Sequence, residues 1–342
     1  MEKNWIAIFP GPGMDNRSNL YMSNMYDLLS EQYEIMGIEQ ISNDISKIKR
    51  TKAVILNWIE SSLDKRVKRN LILYKMMGVK IYWVFHNRVP HDCDQNSEIK
   101  NMGWLANFCN YIILHSKCSK EYLPHMKRNI KKCVYIPHIN YIDKYPVCMR
   151  NIRRENKIEE DEFVFSFIGV LRPYKNIEII IQAFKELSLR NAKLLIAGNE
   201  GKKNYVNKLR ILCDGEKNII LDSGFISNGE MEAYLRASDI LTLPYSKVSS
   251  MNSGAMIMAF SYERTVIVPE IAMAKDIKEE KFIFSYDYVD ETENIKRIKE
   301  KMLEAYQMER EGVKALGKKA FEFVKENNNA EKVWEGLKGI GL

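Results

Sequence analysis

The fold is decided by the stretch Phe163-Val-Phe-Ser-Phe-Ile168-Gly-Val-Leu-Arg-Pro-Tyr-Lys-Asn-Ile177. Its first six residues are apolar apart from Ser166, as in a strand that is buried on both faces. Gly169 then permits a tight turn, and a helical pattern runs from about residue 176 to residue 189. A strand, a glycine turn and a helix in this order form the first part of a βαβ unit, which predicts a parallel sheet covered by helices.

The same alternation continues in both directions along the chain. Short apolar runs, each followed by a polar or helical segment, lie at residues 5–9, 53–56, 80–85, 111–114, 193–197, 219–221 and 240–243. Between about residues 146 and 162 the pattern gives way to a charged stretch, which is typical of a linker. We therefore predict an α/β protein with two Rossmann-like, doubly wound domains facing across a cleft, at residues 1–150 and 151–325, followed by a C-terminal segment, residues 326–342.

The charge of the chain is concentrated in its first half. The total is 52 basic minus 45 acidic residues, or +7, but residues 1–150 hold 22 basic and 14 acidic residues and the remainder holds 30 and 31. Residues 47–80 alone contain 10 basic residues, with Leu63, Val67, Leu71 and Tyr74 on one helical face. This pattern predicts a helix that docks on an anionic membrane or lipid diphosphate, or else the solvated face of an ordinary core helix.

Several classes of protein are disfavoured by what the sequence lacks. No apolar run reaches the roughly 18 residues that a transmembrane helix needs, and no secretory signal opens the chain, so we expect a cytoplasmic protein, with the inner face of the membrane as an alternative. The glycine-rich signatures of P-loop, dinucleotide-binding and nucleophile-elbow proteins are absent. The basic half matches no nucleic-acid-binding module, so we expect no nucleic-acid partner.

Two loops of the second half have the composition of a diphosphate site. Arg172 and Lys175 place two cations between a strand and a helix N-terminus. Asn252, Ser253 and Gly254 lead into an apolar helix, where backbone N–H groups attract anions. These loops predict an anion site that needs no metal, although two surface cations on a turn are the alternative.

Taken in order, these segments resemble the donor domain of GT-B glycosyltransferases, related to the glycosyl transferases group 1 (family 4-like). The family's nucleotide-sugar motifs are similar to Gly169-x-x-Arg-Pro-Tyr-Lys-Asn176, Ile196-Ala-Gly-Asn199, Leu243-Pro-Tyr245 and Asn252-Ser-Gly-Ala255. In the first half, Trp83-Val-Phe-His-Asn-Arg-Val-Pro-His91 and Tyr135-Ile-Pro-His138 resemble its His-Asn turn and its Pro-His segment. The resemblance runs from about residue 6 to residue 269.

The resemblance implies a metal-independent hexosyltransferase without a cofactor. A nucleotide-diphosphate sugar, with a UDP-sugar favoured over a GDP-sugar, would bind the second domain, and the acceptor would be a glycan or lipid-linked molecule of polysaccharide biosynthesis. The implied donor-binding residues are Gly169, Arg172, Lys175, Asn199, Tyr245, Asn252, Ser253 and Gly254. The last helix, near residues 330–337, would return to pack on the first domain.

The resemblance is incomplete at three positions. Directly after Gly169 the family usually has an arginine, and this chain has Val170. Many retaining members carry glutamates where this chain has Met251 and Ala259. It therefore favours an inverting subgroup, similar to the glucuronosyl- and mannosyl-transferases of exopolysaccharide assembly. A silent accessory subunit that binds glycan or enzyme, and a sugar-nucleotide epimerase, remain as alternatives.

Inversion requires a general base for the acceptor hydroxyl, and the strand ends of the first half supply the candidates. His86, Asp15 and Glu60 are the predicted catalytic residues. Predicted acceptor-side residues are Asn16, Arg17, Asn87, His91 and His138. His86 is predicted to face the transferred sugar, with a purely structural histidine as the alternative.

Overall fold

The computed structural model describes residues 5–13, 19–41, 44–88 and 95–342. Its strands are β1 (Trp5–Phe9), β2 (Glu34–Gly37), β3 (Thr51–Asn57), β4 (Lys80–Val84), β5 (Tyr111–Leu114), β6 (Cys133–Tyr135), β7 (Phe163–Ile168), β8 (Ala192–Ala197), β9 (Ile219–Asp222), β10 (Ile240–Thr242), β11 (Thr265–Pro269) and β12 (Phe284–Tyr286). Its helices are α1 (Leu20–Ser30), α2 (Ile38–Ile41), α3 (Ile45–Arg50), α4 (Lys65–Met76), α5 (Gln95–Phe108), α6 (Met126–Asn129), α7 (Ile152–Glu155), α8 (Ile177–Leu187), α9 (Lys203–Cys213), α10 (Met231–Ala237), α11 (Gly254–Ser261), α12 (Ala272–Ile277), α13 (Glu291–Gln307), α14 (Glu309–Asn327) and α15 (Ala330–Gly339).

The strands form two parallel sheets of six strands each. Their orders are β2-β1-β3-β4-β5-β6 and β12-β11-β10-β7-β8-β9. The strand that comes first along the chain in each sheet, β1 or β7, has neighbours on both sides. Later strands are therefore added on both sides of it. The predicted α/β fold with two doubly wound parallel sheets is confirmed.

Close backbone contacts divide the chain into two compact units. Unit 1 contains Met1–Ile139, Val248–Asn252 and Asn328–Leu342, and unit 2 contains Asn140–Lys247 and Ser253–Asn327. The predicted first boundary lies at residue 150, about ten residues further along the chain. Residues 140–150 lie with unit 2 because the backbone N–H groups of Tyr141 and Tyr145 donate to Ser261 Oγ and Tyr262 Oη.

In unit 1 one face of the sheet is covered by α1 and α15. Tyr82 and Val84 of β4 point to this face, where they join one apolar cluster with Tyr21 of α1 and Leu337 of α15. Side chains alternate along a strand, so Trp83, between Tyr82 and Val84, points to the opposite face. This alternation decides which strand-end residues of unit 1 can meet.

In unit 2 the central strands are buried along their whole length. Every residue of β7 is buried, as the unbroken apolar run predicts. The following chain turns at Gly169, forms a single turn of 3₁₀ helix at Pro173–Lys175, and enters α8 at Ile177. This course leaves residues 169–176 as a loop at the carboxyl edge of the sheet.

Candidate functional site

The loops that follow β7 and β8 are joined by backbone hydrogen bonds at the carboxyl edge of the unit 2 sheet. Gly169 N donates to Ala197 O at 3.0 Å, and Leu171 N donates to Asn199 O at 2.9 Å. A Cβ atom on Gly198 would lie 2.2 Å from Gly169 O, so only glycine allows this approach. The predicted donor-binding residues Gly169 and Asn199 are thus brought together, through their backbones.

Lys175 is a cation without an anionic partner. No residue that the structure describes gives its ammonium group a hydrogen bond or an ion pair. Its Nζ lies 5.4 Å from the ring centre of Phe167 and 5.9 Å from those of Tyr174 and Tyr245. Burial, and secondly the positive charge of Arg172, lowers the pKa of Lys175 to about 8. A negatively charged ligand would relieve this cost, because it would supply the missing counter-charge.

The loop after β10 lies against the loop after β7. Ser246 N donates to Tyr174 O at 3.2 Å, and Asn176 Nδ2 donates to Pro244 O at 3.1 Å. Because β7 and β10 are neighbours from which the chain winds in opposite directions, this is the switch point at which ligands of doubly wound sheets bind.

The N-terminus of α11 completes this edge. Ser253 is the N-cap of α11, and its side chain accepts a hydrogen bond from Met256 N at 3.1 Å. Ser253 Oγ also donates to the buried Tyr245 hydroxyl at 3.3 Å. The backbone N–H groups of the first turn of α11, which begins at Gly254, carry the positive end of the helix dipole. Four predicted donor residues, Lys175, Tyr245, Ser253 and Gly254, therefore belong to one group of loops in unit 2.

Asn252 belongs to unit 1, where it lies beside the chain that follows β4. Its Nδ2 donates to Phe85 O at 3.4 Å and to His86 O at 3.3 Å. Its Oδ1 is buried and has no partner among the described residues. The structure thus brings Asn252, predicted as a donor-binding residue, next to His86, predicted as a catalytic residue.

His86 belongs to a group of buried side chains at the carboxyl edge of the unit 1 sheet, here called the histidine cluster: Tyr21, Asn57, Trp58, His86, His115 and His138. His86, His115 and His138 follow β4, β5 and β6, and Asn57 ends β3. The Trp58 ring stacks on the His86 ring with 4.0 Å between centres. The ring centres of His86 and His115 lie 5.5 Å apart, and those of His115 and His138 lie 5.3 Å apart.

The three histidines of this cluster are neutral at pH 7. Burial is the main cause in each case, since it disfavours the charged ring. It lowers the pKa of His115 to about 4 and, together with the charge of His115, that of His138 to about 3. Burial and the neighbouring His115 and His138 hold the pKa of His86 well below its ordinary value. A neutral imidazole is the form that accepts a proton.

Glu60 does not belong to the histidine cluster. Its Oε1 accepts a hydrogen bond from Trp83 Nε1 at 2.9 Å, and its carbonyl accepts one from Asn101 of α5 at 2.8 Å. Trp83 points to the face opposite the one that Tyr82 and Val84 share with Tyr21. Burial raises the pKa of Glu60. Glu60 and His86, both predicted as catalytic, are therefore not brought together.

The other predicted acceptor-side residues divide into two groups. His138 is buried, with Nδ1 donating to Ile139 O at 2.8 Å, and Asn87 follows His86 in a partly exposed position. The predicted acceptor-side residues Asn16, Arg17 and His91 lie outside the described residues, as does Asp15, which was predicted as catalytic. Within the described residues no group of three or more His, Cys, Asp or Glu side chains could hold a metal ion.

Comparison with known proteins identifies the family of the chain. The model of the family "Glycosyl transferases group 1" matches residues 149–323, half of the chain. The chain belongs to this family. It is therefore a glycosyltransferase, and the family that the sequence motifs predicted is confirmed.

Relatives of this glycosyltransferase cover both units. A GDP-mannose:glycolipid 4-beta-D-mannosyltransferase from Xanthomonas campestris pv. campestris is 20% identical over 263 residues, which cover 74% of this chain and 70% of the relative. The crystal structure of Anabaena HepE in complex with UDP-glucose has a TM-score of 0.76 at 12% identity and covers 98% of this chain and 99% of HepE. Sucrose-phosphate synthase from Thermosynechococcus elongatus has a TM-score of 0.70 at 14% identity, covering 95% of this chain and 78% of that protein.

Some residues of the glycosyltransferase's unit 2 loops and of its histidine cluster were not predicted from the sequence. His115 follows β5 as His86 follows β4, so the same rule of strand ends would have found it. Asn57 and Trp58 follow the same rule at β3. Gly201 gives a weaker signal: a Cβ atom there would lie 2.6 Å from Leu171 O and from Arg172 Cγ, and only the paired loops reveal this contact.

Proposed function

We propose that this glycosyltransferase transfers a hexose from a nucleoside diphosphate sugar to a glycan or lipid-linked acceptor in polysaccharide biosynthesis. The observation that carries the proposal is Lys175, a partly buried cation at the switch point between β7 and β10 that no described residue pairs with an opposite charge. Arg172 adds a second positive charge three residues earlier, and α11 directs its N-terminus to the same edge of unit 2. These groups suit a diphosphate leaving group that needs no metal ion.

We favour a UDP-sugar as the donor. Anabaena HepE binds UDP-glucose in a fold that matches this chain over nearly its whole length. The Xanthomonas relative is named for GDP-mannose, so a GDP-sugar is the competing candidate. Calorimetric titration with UDP, UDP-glucose, GDP and GDP-mannose tests both, and we expect UDP and UDP-glucose to bind more tightly. A chain that binds none of the four would contradict the proposal.

We propose that transfer inverts the anomeric centre. Met251 and Ala259, which stand where many retaining members have glutamates, are fully buried. The name of the Xanthomonas relative specifies a 4-beta-D-mannosyl product. On the acceptor side, the neutral His86 ring is the best-placed candidate base. Product NMR of the anomeric proton decides between inversion and retention.

We further propose that α4 binds the protein to an anionic membrane surface that contains a lipid-linked acceptor. Within the described residues no helix is long and apolar enough to cross a bilayer. The helix α4 holds Lys65, Arg66, Lys68, Arg69 and Lys75 and no acidic residue. Its side chains Ile72 and Met76 are 44% and 79% exposed. Cations beside exposed apolar side chains are typical of helices that lie in a membrane interface.

Sedimentation with vesicles tests this membrane proposal. We expect binding to vesicles that contain phosphatidylglycerol, weaker binding to pure phosphatidylcholine, and loss of binding in an Ile72→Glu, Met76→Glu double variant. The matched control is Ile211→Glu on α9, because Ile211 is also exposed, at 76%, but lies in unit 2. Equal sedimentation of the double variant and the control would overturn the role of α4.

A further inference from the structure

The two ring nitrogens of His86 have different surroundings. Nε2 lies 3.0 Å from Asn57 Oδ1. Among the described residues, no hydrogen bond reaches Nδ1. Which nitrogen carries the hydrogen therefore depends on what Asn57 presents to Nε2.

Asn57 presents an oxygen. Its Nδ2 donates to the carbonyl of Phe9 at 3.1 Å, which turns Oδ1 toward His86. An amide oxygen only accepts hydrogen bonds, so His86 Nε2 is the donor. The neutral ring then carries its hydrogen on Nε2 and its lone pair on Nδ1.

The neighbouring hydroxyl group of Tyr21 does not compete for this role. It lies 3.0 Å from His115 Nε2 and 3.4 Å from Asn57 Oδ1. His115 Nδ1 lies 2.8 Å from the carbonyl of Ile136 and must donate to it, which leaves His115 Nε2 as an acceptor. The single hydroxyl hydrogen of Tyr21 therefore goes to His115, and Asn57 Oδ1 keeps His86 as its nearest donor.

The plane of the His86 ring is also fixed. The Trp58 ring stacks on it with an interplanar angle of 15°, and the Tyr21 ring meets it edge-on at 5.0 Å. Among the described residues, the titratable groups that contact or act on His86 are Tyr21 from α1, His115 after β5 and His138 after β6. None of these three carries a charge at pH 7, because burial raises the pKa of Tyr21 and lowers the pKa of both histidines.

We propose that Asn57 is a positioning residue for glycosyl transfer, which fixes His86 in the tautomer whose Nδ1 can accept the proton of the acceptor hydroxyl. The inference rests on the proposed function. As the hydroxyl oxygen forms its bond to the anomeric carbon, its proton passes to Nδ1. The bond from that carbon to the diphosphate breaks, and its electron pair leaves with the nucleotide. Asn57 Oδ1 then stabilises the imidazolium through the Nε2–H bond.

Three variants test the role of Asn57. Asn57→Leu removes the acceptor, whereas Asn57→Asp keeps it and adds a negative charge. The matched control is Asn110→Leu, which removes the Asn110 Oδ1 acceptor of Ile81 N, 2.9 Å away, at the other end of β4. The measurements are ¹⁵N NMR of histidine-labelled protein, with His86 assigned from a His86→Gln variant, and the pH profile of kcat/KM for the wild type and each variant.

We expect the wild-type His86 ring to carry its hydrogen on Nε2, and Asn57→Leu to lose that preference. Asn57→Leu should lower kcat about 100-fold, the contribution of a general base, while nucleotide affinity stays unchanged. Asn57→Asp should move the acid limb of the pH profile to higher pH, because a carboxylate raises the pKa of an adjacent histidine. Asn110→Leu should leave the tautomer and the profile unchanged.

A wild-type ring protonated at Nδ1 would overturn the proposal. So would an Asn57→Leu variant with wild-type kcat, or an Asn57→Asp variant with an unmoved acid limb. If the wild type consumes no nucleotide sugar, the proposed function is wrong and the catalytic role of Asn57 is wrong with it. In that case the NMR measurement still shows separately whether Asn57 sets the tautomer of His86.

Discussion

The ammonium group of Lys175 lies against the backbone of Gly169: a Cβ atom built on Gly169 would be 3.0 Å from Lys175 Nζ. The two residues are six positions apart in the sequence, and the 3₁₀ turn at Pro173–Lys175 folds the lysine back over the glycine. Gly169 therefore borders the space beside the ammonium group, where the proposed diphosphate would bind.

Gly169→Ala should weaken nucleotide binding. The φ angle of Gly169 is +144°, where alanine is strained, and the new methyl group would displace the Lys175 ammonium group. Gly215→Ala is the matched control, because Gly215 also has a positive φ, +76°, but a Cβ atom there meets nothing within 4 Å. We expect both variants to lose stability and only Gly169→Ala to lose affinity for UDP in calorimetry. If Gly169→Ala and Gly215→Ala bind UDP with equal affinity, Gly169 has only a structural role.

Lys175→Met should abolish tight donor binding without harming the fold. Methionine is one atom shorter than lysine and removes a partly buried cation that has no counter-charge among the described residues, so the melting temperature should stay equal or rise. A charge-assisted hydrogen bond contributes about 1.5–3 kcal/mol, so UDP affinity should fall about 10- to 100-fold. The control is Lys208→Met, which loses only an exposed ion pair with Glu178. Wild-type affinity in Lys175→Met would contradict the donor site.

Donor binding should weaken as the pH rises through about 8. The pKa of Lys175 is lowered to about 8 in the free protein, so the ammonium group that attracts the diphosphate loses its proton above that pH. Between pH 8 and the ordinary pKa of lysine the unfolded chain binds more protons than the folded chain, so this group makes the protein more stable as the pH rises. Calorimetry with UDP-glucose from about pH 6.5 to 9 checks the first effect, and Lys175→Met should remove both. If the affinity of Lys175→Met for UDP-glucose falls by the same factor over this pH range, the pH dependence belongs to another group.

The meeting of the loops proposed to bind the donor could be predicted from the sequence, because parallel strands direct all their carboxyl ends to one edge. Glycine, cations and small polar residues placed after β7, β8 and β10 had to meet there, and Gly169, Lys175, Tyr245 and Ser253 do. What the sequence could not show is the partner of each side chain. In the part of the chain that the structure describes, Lys175 has no counter-ion; this is a property of the folded loops, and no spacing of residues reveals it.

The acceptor side was harder to predict, for a physical reason. Strand-end position alone selected His86 and Glu60 together, but it does not say to which face of the sheet a side chain turns after the strand has ended. Glu60 lies in a short 3₁₀ turn that directs its carboxyl group to Trp83, on the face away from Tyr21. The left-handed backbone of Trp58, with φ of +47°, places its ring on His86, and nothing in the local sequence predicts that conformation.

Replacing Ser253 by aspartate should separate helix stability from anion binding at α11. Serine and aspartate are comparable N-caps, whereas alanine costs about 1 kcal/mol, so we expect Ser253→Asp to unfold at a higher temperature than Ser253→Ala. The order of affinities should be reversed, since a carboxylate at this N-terminus occupies the place of the diphosphate and repels it. Asn329→Asp, which adds the same charge at the N-cap of α15 in unit 1, controls for the charge itself. Thermal unfolding and UDP titration of the three variants decide the matter: if Ser253→Asp binds UDP as well as Ser253→Ala does, the N-terminus of α11 does not bind the diphosphate, and Lys175 and Arg172 hold it alone.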